Sequence, residues 1–149
     1  MSDSKELNEK NNIPIKDRRY SYSALGIGFG NAYGVLGFQF QFRDGKTLGV
    51  GGHLGGGIIP RIGEMNKIAF GFTAGVKFFV YKPIYLDVTY GVVGVSQYSV
   101  LLGPSALAGA DLFFGKTVGL NVADGLSLYR GEVAPTLDLG LLIKLPGRK

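Results

Sequence analysis

Ile68-Ala69-Phe70-Gly71-Phe72-Thr73-Ala74-Gly75-Val76-Lys77-Phe78-Phe79-Val80 is the stretch whose reading decides the fold. Every second residue from Ile68 through Phe70, Phe72, Ala74, Val76 and Phe78 to Val80 is apolar, while Ala69, Gly71, Thr73, Gly75 and Lys77 between them are small or polar. Side chains on a strand point alternately to opposite faces, so this is a strand with one greasy side. A tilted transmembrane strand needs about 9 to 11 residues, whereas a strand in a soluble protein averages about 5 to 6. The distribution of bulk points the same way. A soluble sandwich packs its large residues inward, but here the opposite face is rich in glycine and carries a lysine, as expected when the bulky residues meet lipid.

The rule recurs along the chain. Val35 to Arg43 sets Leu36, Phe38, Phe40 and Phe42 against Gly37, Gln39, Gln41 and Arg43. Thr47 to Ile58 sets Leu48, Val50, Leu54 and Ile58 against Gly49, Gly51, His53, Gly55 and Gly57, and Thr136 to Leu145 sets Leu137, Leu139, Leu141, Ile143 and Leu145 against Thr136, Asp138, Gly140 and Lys144. Less regular versions at Tyr20 to Phe29, Ile84 to Val95, Ser105 to Phe114 and Val118 to Tyr129 bring the expected strands to eight, with no segment of helical periodicity. An even count suits a closed, all-β, antiparallel up-and-down transmembrane barrel with short turns, spanning residues 20–145.

Composition agrees with one domain of this class. The chain has 149 residues, 25 of them glycine, well above the usual share of about 7%. No run of about 18 apolar residues exists, so a transmembrane helix is not expected. The absence of cysteine removes disulfide and thiolate chemistry. A net charge of +5 is modest and spread over turns, termini and interior positions, so no nucleic-acid partner is expected. Residues 1–19 mix charges of both signs and read as a mobile arm, and 146–149 read as a short tail. The arm has no apolar signal core, and an outer-membrane location therefore implies a leader already removed.

Facing residues share a side only if the connections centre on Asp44-Gly45-Lys46, Tyr81-Lys82-Pro83 and Gly115-Lys116-Thr117. These follow alternate strands, so they belong at one end with both termini, the periplasmic end in this architecture. Gly30 to Gly34, Pro60 to Asn66, Ser96 to Pro104 and Arg130 to Pro135 are then short loops expected to face outward at the other end. Phe42, Phe78 and Phe114 fall on the outer face near the short turns, where an interfacial aromatic girdle belongs.

The same register puts Arg43, Lys77, Asp87, Asp111, Asp138 and Lys144 inside, with Lys77 opposite Asp87. Charges taken from water need partners, so a network of ion pairs filling the lumen is the expected arrangement, with no open pore. His53, the only histidine, falls inside among glycines, as a satisfied interior group. One imidazole without a thiolate supports no zinc site, and no Gly-Lys-Ser/Thr ending follows either glycine run. No cofactor is expected. The outer, lipid-facing set is Phe38, Phe40, Phe70, Phe72, Val76, Leu139 and Leu141.

The alternation in Val35 to Arg43, Ile68 to Val80 and Leu137 to Leu145, with the three turns and the run Gly103-Pro104-Ser105 leading to Asp111-Leu112-Phe113-Phe114-Gly115-Lys116, resembles the small eight-stranded outer-membrane β-barrels of Gram-negative bacteria. The resemblance implies contact with outer-membrane lipid and a structural, adhesive or accessory role, with a partner protein in the cell envelope. It also implies that enzymes are the exception. Two departures stand out: the chain ends Leu145-Pro146-Gly147-Arg148-Lys149 rather than on an aromatic residue, and Asp124 takes a lipid-facing parity unless Ala123-Asp124-Gly125 bulges. Two other classes compete. A soluble lipocalin-like barrel would line a cavity with its large apolar residues to hold a small apolar ligand, and a lipid-modifying barrel enzyme would need a serine or second histidine near His53.

Overall fold

The alternating segments do pair with one another. A computed structural model of the chain describes residues 20–45, 48–60, 68–95 and 100–146, and the expected arm at 1–19 lies outside them. Eight antiparallel strands close into a barrel: β1 (Tyr22–Gly30), β2 (Val35–Arg43), β3 (Gly49–Ile59), β4 (Ala69–Tyr81), β5 (Ile84–Val95), β6 (Val100–Phe114), β7 (Val118–Tyr129) and β8 (Glu132–Lys144). Each strand pairs with its sequence neighbours, and β1 closes on β8 from Ala24↔Lys144 to Phe29↔Leu139. Closure leaves no long free edge, which is what an all-β structure needs to avoid pairing with other chains.

The two faces follow the alternation. Phe38, Phe70 and Phe72 are 67%, 81% and 59% exposed on the outer wall, whereas Gln39, Gln41, Thr73 and Lys77 beside them are buried inside. Lys82-Pro83 and the turn around Gly115-Lys116-Thr117 lie at one end with both barrel termini, where the Leu145 amide donates to the Ser23 carbonyl and the Lys144 amide to that of Thr117. Asp44 closes the β2–β3 hairpin there, its amide donating 3.1 Å to the Val50 carbonyl, while Lys46 lies outside the described residues.

At the opposite end three expectations need correction. Gly30 to Gly34 does not face outward: Asn31–Tyr33 forms a single 3₁₀ turn folded into the barrel, with all three residues buried. The loop expected at Arg130 to Pro135 shrinks to Arg130-Gly131, both at positive φ (48° and 86°), as in the tight hairpin turns that match strand twist. In the last expected loop, Ser96 to Pro104, residues 100–104 belong to β6. Both errors come from reading proline as a loop signal. β8 runs beyond β1, whose ladder stops at Leu139, and the β6–β7 ladder stops at Ser105↔Ser127, so Pro135 and Pro104 occupy edge positions where a missing donor is tolerated. Residues 61–67 and 96–99 lie outside the described set, and with them most of the loop expected at Pro60 to Asn66.

Candidate functional site

The barrel interior brings chemistry-bearing residues from all eight strands together, in three groups and one separate pair, His53 and Asp87. The central group is built around Asp111 on β6. Tyr22 donates its hydroxyl to Asp111 Oδ2 at 2.5 Å, Gln41 Nε2 donates to the same oxygen at 3.1 Å, and Asn121 Nδ2 donates to Oδ1 at 2.7 Å. Lys77 Nζ lies 3.4 Å from both carboxylate oxygens and donates to Gln41 Oε1 at 2.6 Å, with its charge 4.2 Å from the centre of the Tyr85 ring. A carboxylate accepting this many donors, beside a cation it does not share with bulk water, is well compensated for its burial.

Lys77 and Asp87 are ladder partners, as the register requires, but their ion pair does not form. Asp87 Oδ2 instead lies 2.9 Å from His53 Nε2. That approach is close but poorly aligned for a hydrogen bond, and Asp87 Oδ1, both His53 ring nitrogens and the Gln39 amide have no aligned partner among the described residues. The expected single ion-pair network is therefore divided.

Arg43 and Lys144 form a second group near the short turns, each set against aromatic rings. The Arg43 guanidinium lies 3.9 Å from the Phe79 ring centre and donates to the Lys82 carbonyl; Lys144 Nζ lies 4.2 Å from the Phe113 ring centre and 5.4 Å from that of Tyr22. Rings of this kind stabilise a cation electrostatically.

The third group is the inward turn and its socket. Asn31 Nδ2 donates to Ser105 Oγ at 2.9 Å and to Ser127 Oγ at 2.8 Å, the Ala32 amide donates to Asp138 at 3.2 and 3.3 Å, and the Tyr33 hydroxyl donates to Asn121 Oδ1 at 3.1 Å. One three-residue turn is thus tied to β6, β7 and β8. The glycines opposite make room for it: a Cβ at Gly55 would strike the Ala32 carbonyl, one at Gly57 the Tyr33 carbonyl, and one at Gly140 the Tyr33 ring. The chain leaves the turn through Gly34 at φ 63° and then Val35 at φ 87°, a strained value for a β-branched residue.

The interior positions expected from sequence lie inside, Gln41 among them, yet the bonds that organise the charges were not read from it, nor were Asn121, Asn31 and Tyr33. Gln41, Asn121, Tyr22 and Tyr85 connect the charges, and Asn31 and Tyr33 fill the upper lumen. A usable signal existed in the inward glycines of β1 to β4 and β8, which face the turn and leave room for it: Gly26, Gly37, Gly55, Gly57, Gly71 and Gly140.

On the outer wall Phe38, Phe40, Phe70, Phe72, Val76, Leu139 and Leu141 are exposed, within a continuous apolar band that runs round all eight strands. A soluble monomer rarely exposes an apolar patch larger than a few hundred Å². Among the described residues no cluster of three or more metal-ligating side chains occurs.

No family model and no curated protein matches the chain. A solved structure that resembles it is the backbone structure of the Yersinia pestis outer membrane protein Ail in a phospholipid bilayer nanodisc. The similarity covers 84% of this chain and 99% of that one, at 17% identity and a TM-score of 0.45. A closed, even-stranded antiparallel barrel with an apolar outer band and a polar interior is the architecture of outer-membrane barrels, and this chain has it.

Proposed function

We propose that the chain is an integral outer-membrane barrel with a filled lumen, serving a structural or accessory role in the cell envelope rather than acting as a pore or an enzyme. The observation that carries this reading is the buried turn Asn31–Tyr33, bonded to three strands and seated against glycines, above a central layer of bonded charges. Lipid would meet the outer apolar band, and the basic short-turn end and the hairpin tips remain for an envelope protein partner.

The other classes fit less well. A lipocalin-like carrier needs an apolar cavity, but the largest buried side chains here include Tyr33, Tyr85, Lys77, Gln39 and Gln41. A lipid-modifying enzyme needs a hydroxyl nucleophile that His53 can activate, whereas Thr89, across Gly75 from His53, donates to the Ala74 carbonyl and bonds Thr73 Oγ1, and Ser105 and Ser127 bond each other and Asn31.

Refolding with and without detergent micelles, followed by gel mobility in dodecyl sulfate before and after boiling, tests the membrane assignment. A heat-dependent shift that requires micelles is expected; a folded monomer in plain buffer would overturn it. Planar-bilayer recording tests the closed lumen. Steady single-channel steps from the wild-type barrel would overturn that part.

A further inference from the structure

Asp124 stands on the outer wall near the middle of β7. The ladders β6–β7 and β7–β8 run through it without a break, as Ala108↔Asp124 and Asp124↔Leu137, so no bulge turns it inward. It is exposed, six residues from the start of β7 at Val118 and five from its end at Tyr129, which places it halfway up the wall. Its outward neighbours along the strand are Leu120, Val122, Leu126 and Leu128, and Leu137 and Leu139 flank it on β8. Among the described residues Asp124 has no hydrogen-bond or ion partner, and it is the one acidic or basic side chain on the outer wall between the two rims.

The wall around it differs from the rest of the barrel. β1 to β4 present Phe29, Phe38, Phe40, Phe70 and Phe72 outward, whereas β6 presents Ala106, Ala108 and Ala110 beside Asp124. A low, smooth surface with one carboxylate lets another backbone approach closely. In hydrocarbon an ionisable group is costly and is retained where it has a counterpart to meet.

We propose that the β6–β8 wall centred on Asp124 is a docking surface, within the membrane, for a membrane-spanning segment of another protein that carries a lysine or arginine at mid-depth. Charge complementarity selects this occupant. Acyl chains offer no cation at that level, and a second copy of this barrel would bring none either, because the described outward residues of its strands include no basic side chain between the rims; the one outward phenol there, Tyr90 on β5, carries no charge to match the carboxylate. The inference rests on the membrane reading above.

The test uses the full chain in lipid vesicles, labelled through one cysteine introduced at Lys116, an exposed turn position in a chain with no cysteine of its own. The probe is a labelled leucine-rich peptide of about 20 residues, long enough to span, with lysine at its centre; the control has leucine there. Energy transfer should show the lysine peptide binding the wild-type barrel about tenfold more tightly than the control, as one interhelical polar contact in lipid allows. Asp124→Asn and Asp124→Leu should abolish that preference. Both relieve the wall of a charge and should fold. Ala108→Trp, which keeps the carboxylate but raises the surface, should weaken binding as well. No preference in the wild type, an equal preference in Asp124→Leu, or energy transfer between barrels without peptide would each overturn the proposal. Loss of the heat-dependent gel shift in the wild type would instead sink the membrane reading itself.

Discussion

Lys77 and Asp87 stand directly opposite each other on neighbouring strands, yet the lysine reaches past its ladder partner to Asp111 two strands away, at 3.4 Å. Asp87 turns to His53 on β3. Removing one member of a buried pair leaves an uncompensated charge, so Lys77→Met should cost about 3 to 5 kcal/mol in urea unfolding from micelles. A double-mutant cycle identifies the partner. Coupling of Lys77→Met with Asp111→Asn should exceed its coupling with Asp87→Asn, and the reverse order would show that the ladder pair is the ion pair.

Tyr33 is wholly buried and fills the space left by Gly26 and Gly140. Truncating a large buried aromatic costs about 3 to 5 kcal/mol, so Tyr33→Ala should lower stability by that order while leaving the strands paired. The outer wall is untouched by this change. The variant should therefore keep its heat-dependent gel shift and gain intermittent conductance in planar bilayers, and a conductance unchanged from wild type would mean that the central charge layer alone seals the lumen.

Most of the barrel was legible because period-two alternation reports which side chains share a face, and in Val35 to Arg43 or Ile68 to Val80 that signal is nearly unbroken. Register followed from it, down to Lys77 opposite Asp87. Partner choice did not, because a long lysine side chain spans more than one strand spacing and a facing position sets only a backbone distance. The inward turn was hidden for a different reason. Gly30-Asn31-Ala32-Tyr33-Gly34 has the composition of an ordinary surface loop, and only the holes left by distant glycines, brought together by closure, reveal where it goes. Pro104 and Pro135 misled because proline marks either a loop or a strand position lacking one neighbour, and the stagger that decides between them belongs to the whole barrel.

Phe72 and Gly71 are adjacent in β4 and face opposite solvents. Phe72→Arg places a charge on the outer apolar wall, which at mid-depth costs about 2 to 4 kcal/mol, and refolding yield into vesicles should fall accordingly. Gly71→Leu instead collides with the Gly34 carbonyl and Val92 inside. It should destabilise the barrel in micelles and vesicles alike. If Phe72→Arg folds normally in water, the two faces are reversed.

Asp138 holds the inward turn by its backbone, its carboxylate accepting the Ala32 amide through both oxygens. Leaving a buried amide without an acceptor costs about 1 to 3 kcal/mol, so Asp138→Ala should destabilise the barrel by that amount. Asp138→Asn keeps one carbonyl oxygen in place and should cost less. The Ala32 amide reports the difference directly: its hydrogen exchange, followed by nuclear magnetic resonance in micelles, should quicken in Asp138→Ala, stay near wild type in Asp138→Asn, and leave amides at the centre of β4 unaffected. Equal protection of Ala32 in all three proteins would mean that Asn31 and Tyr33 hold the turn without Asp138.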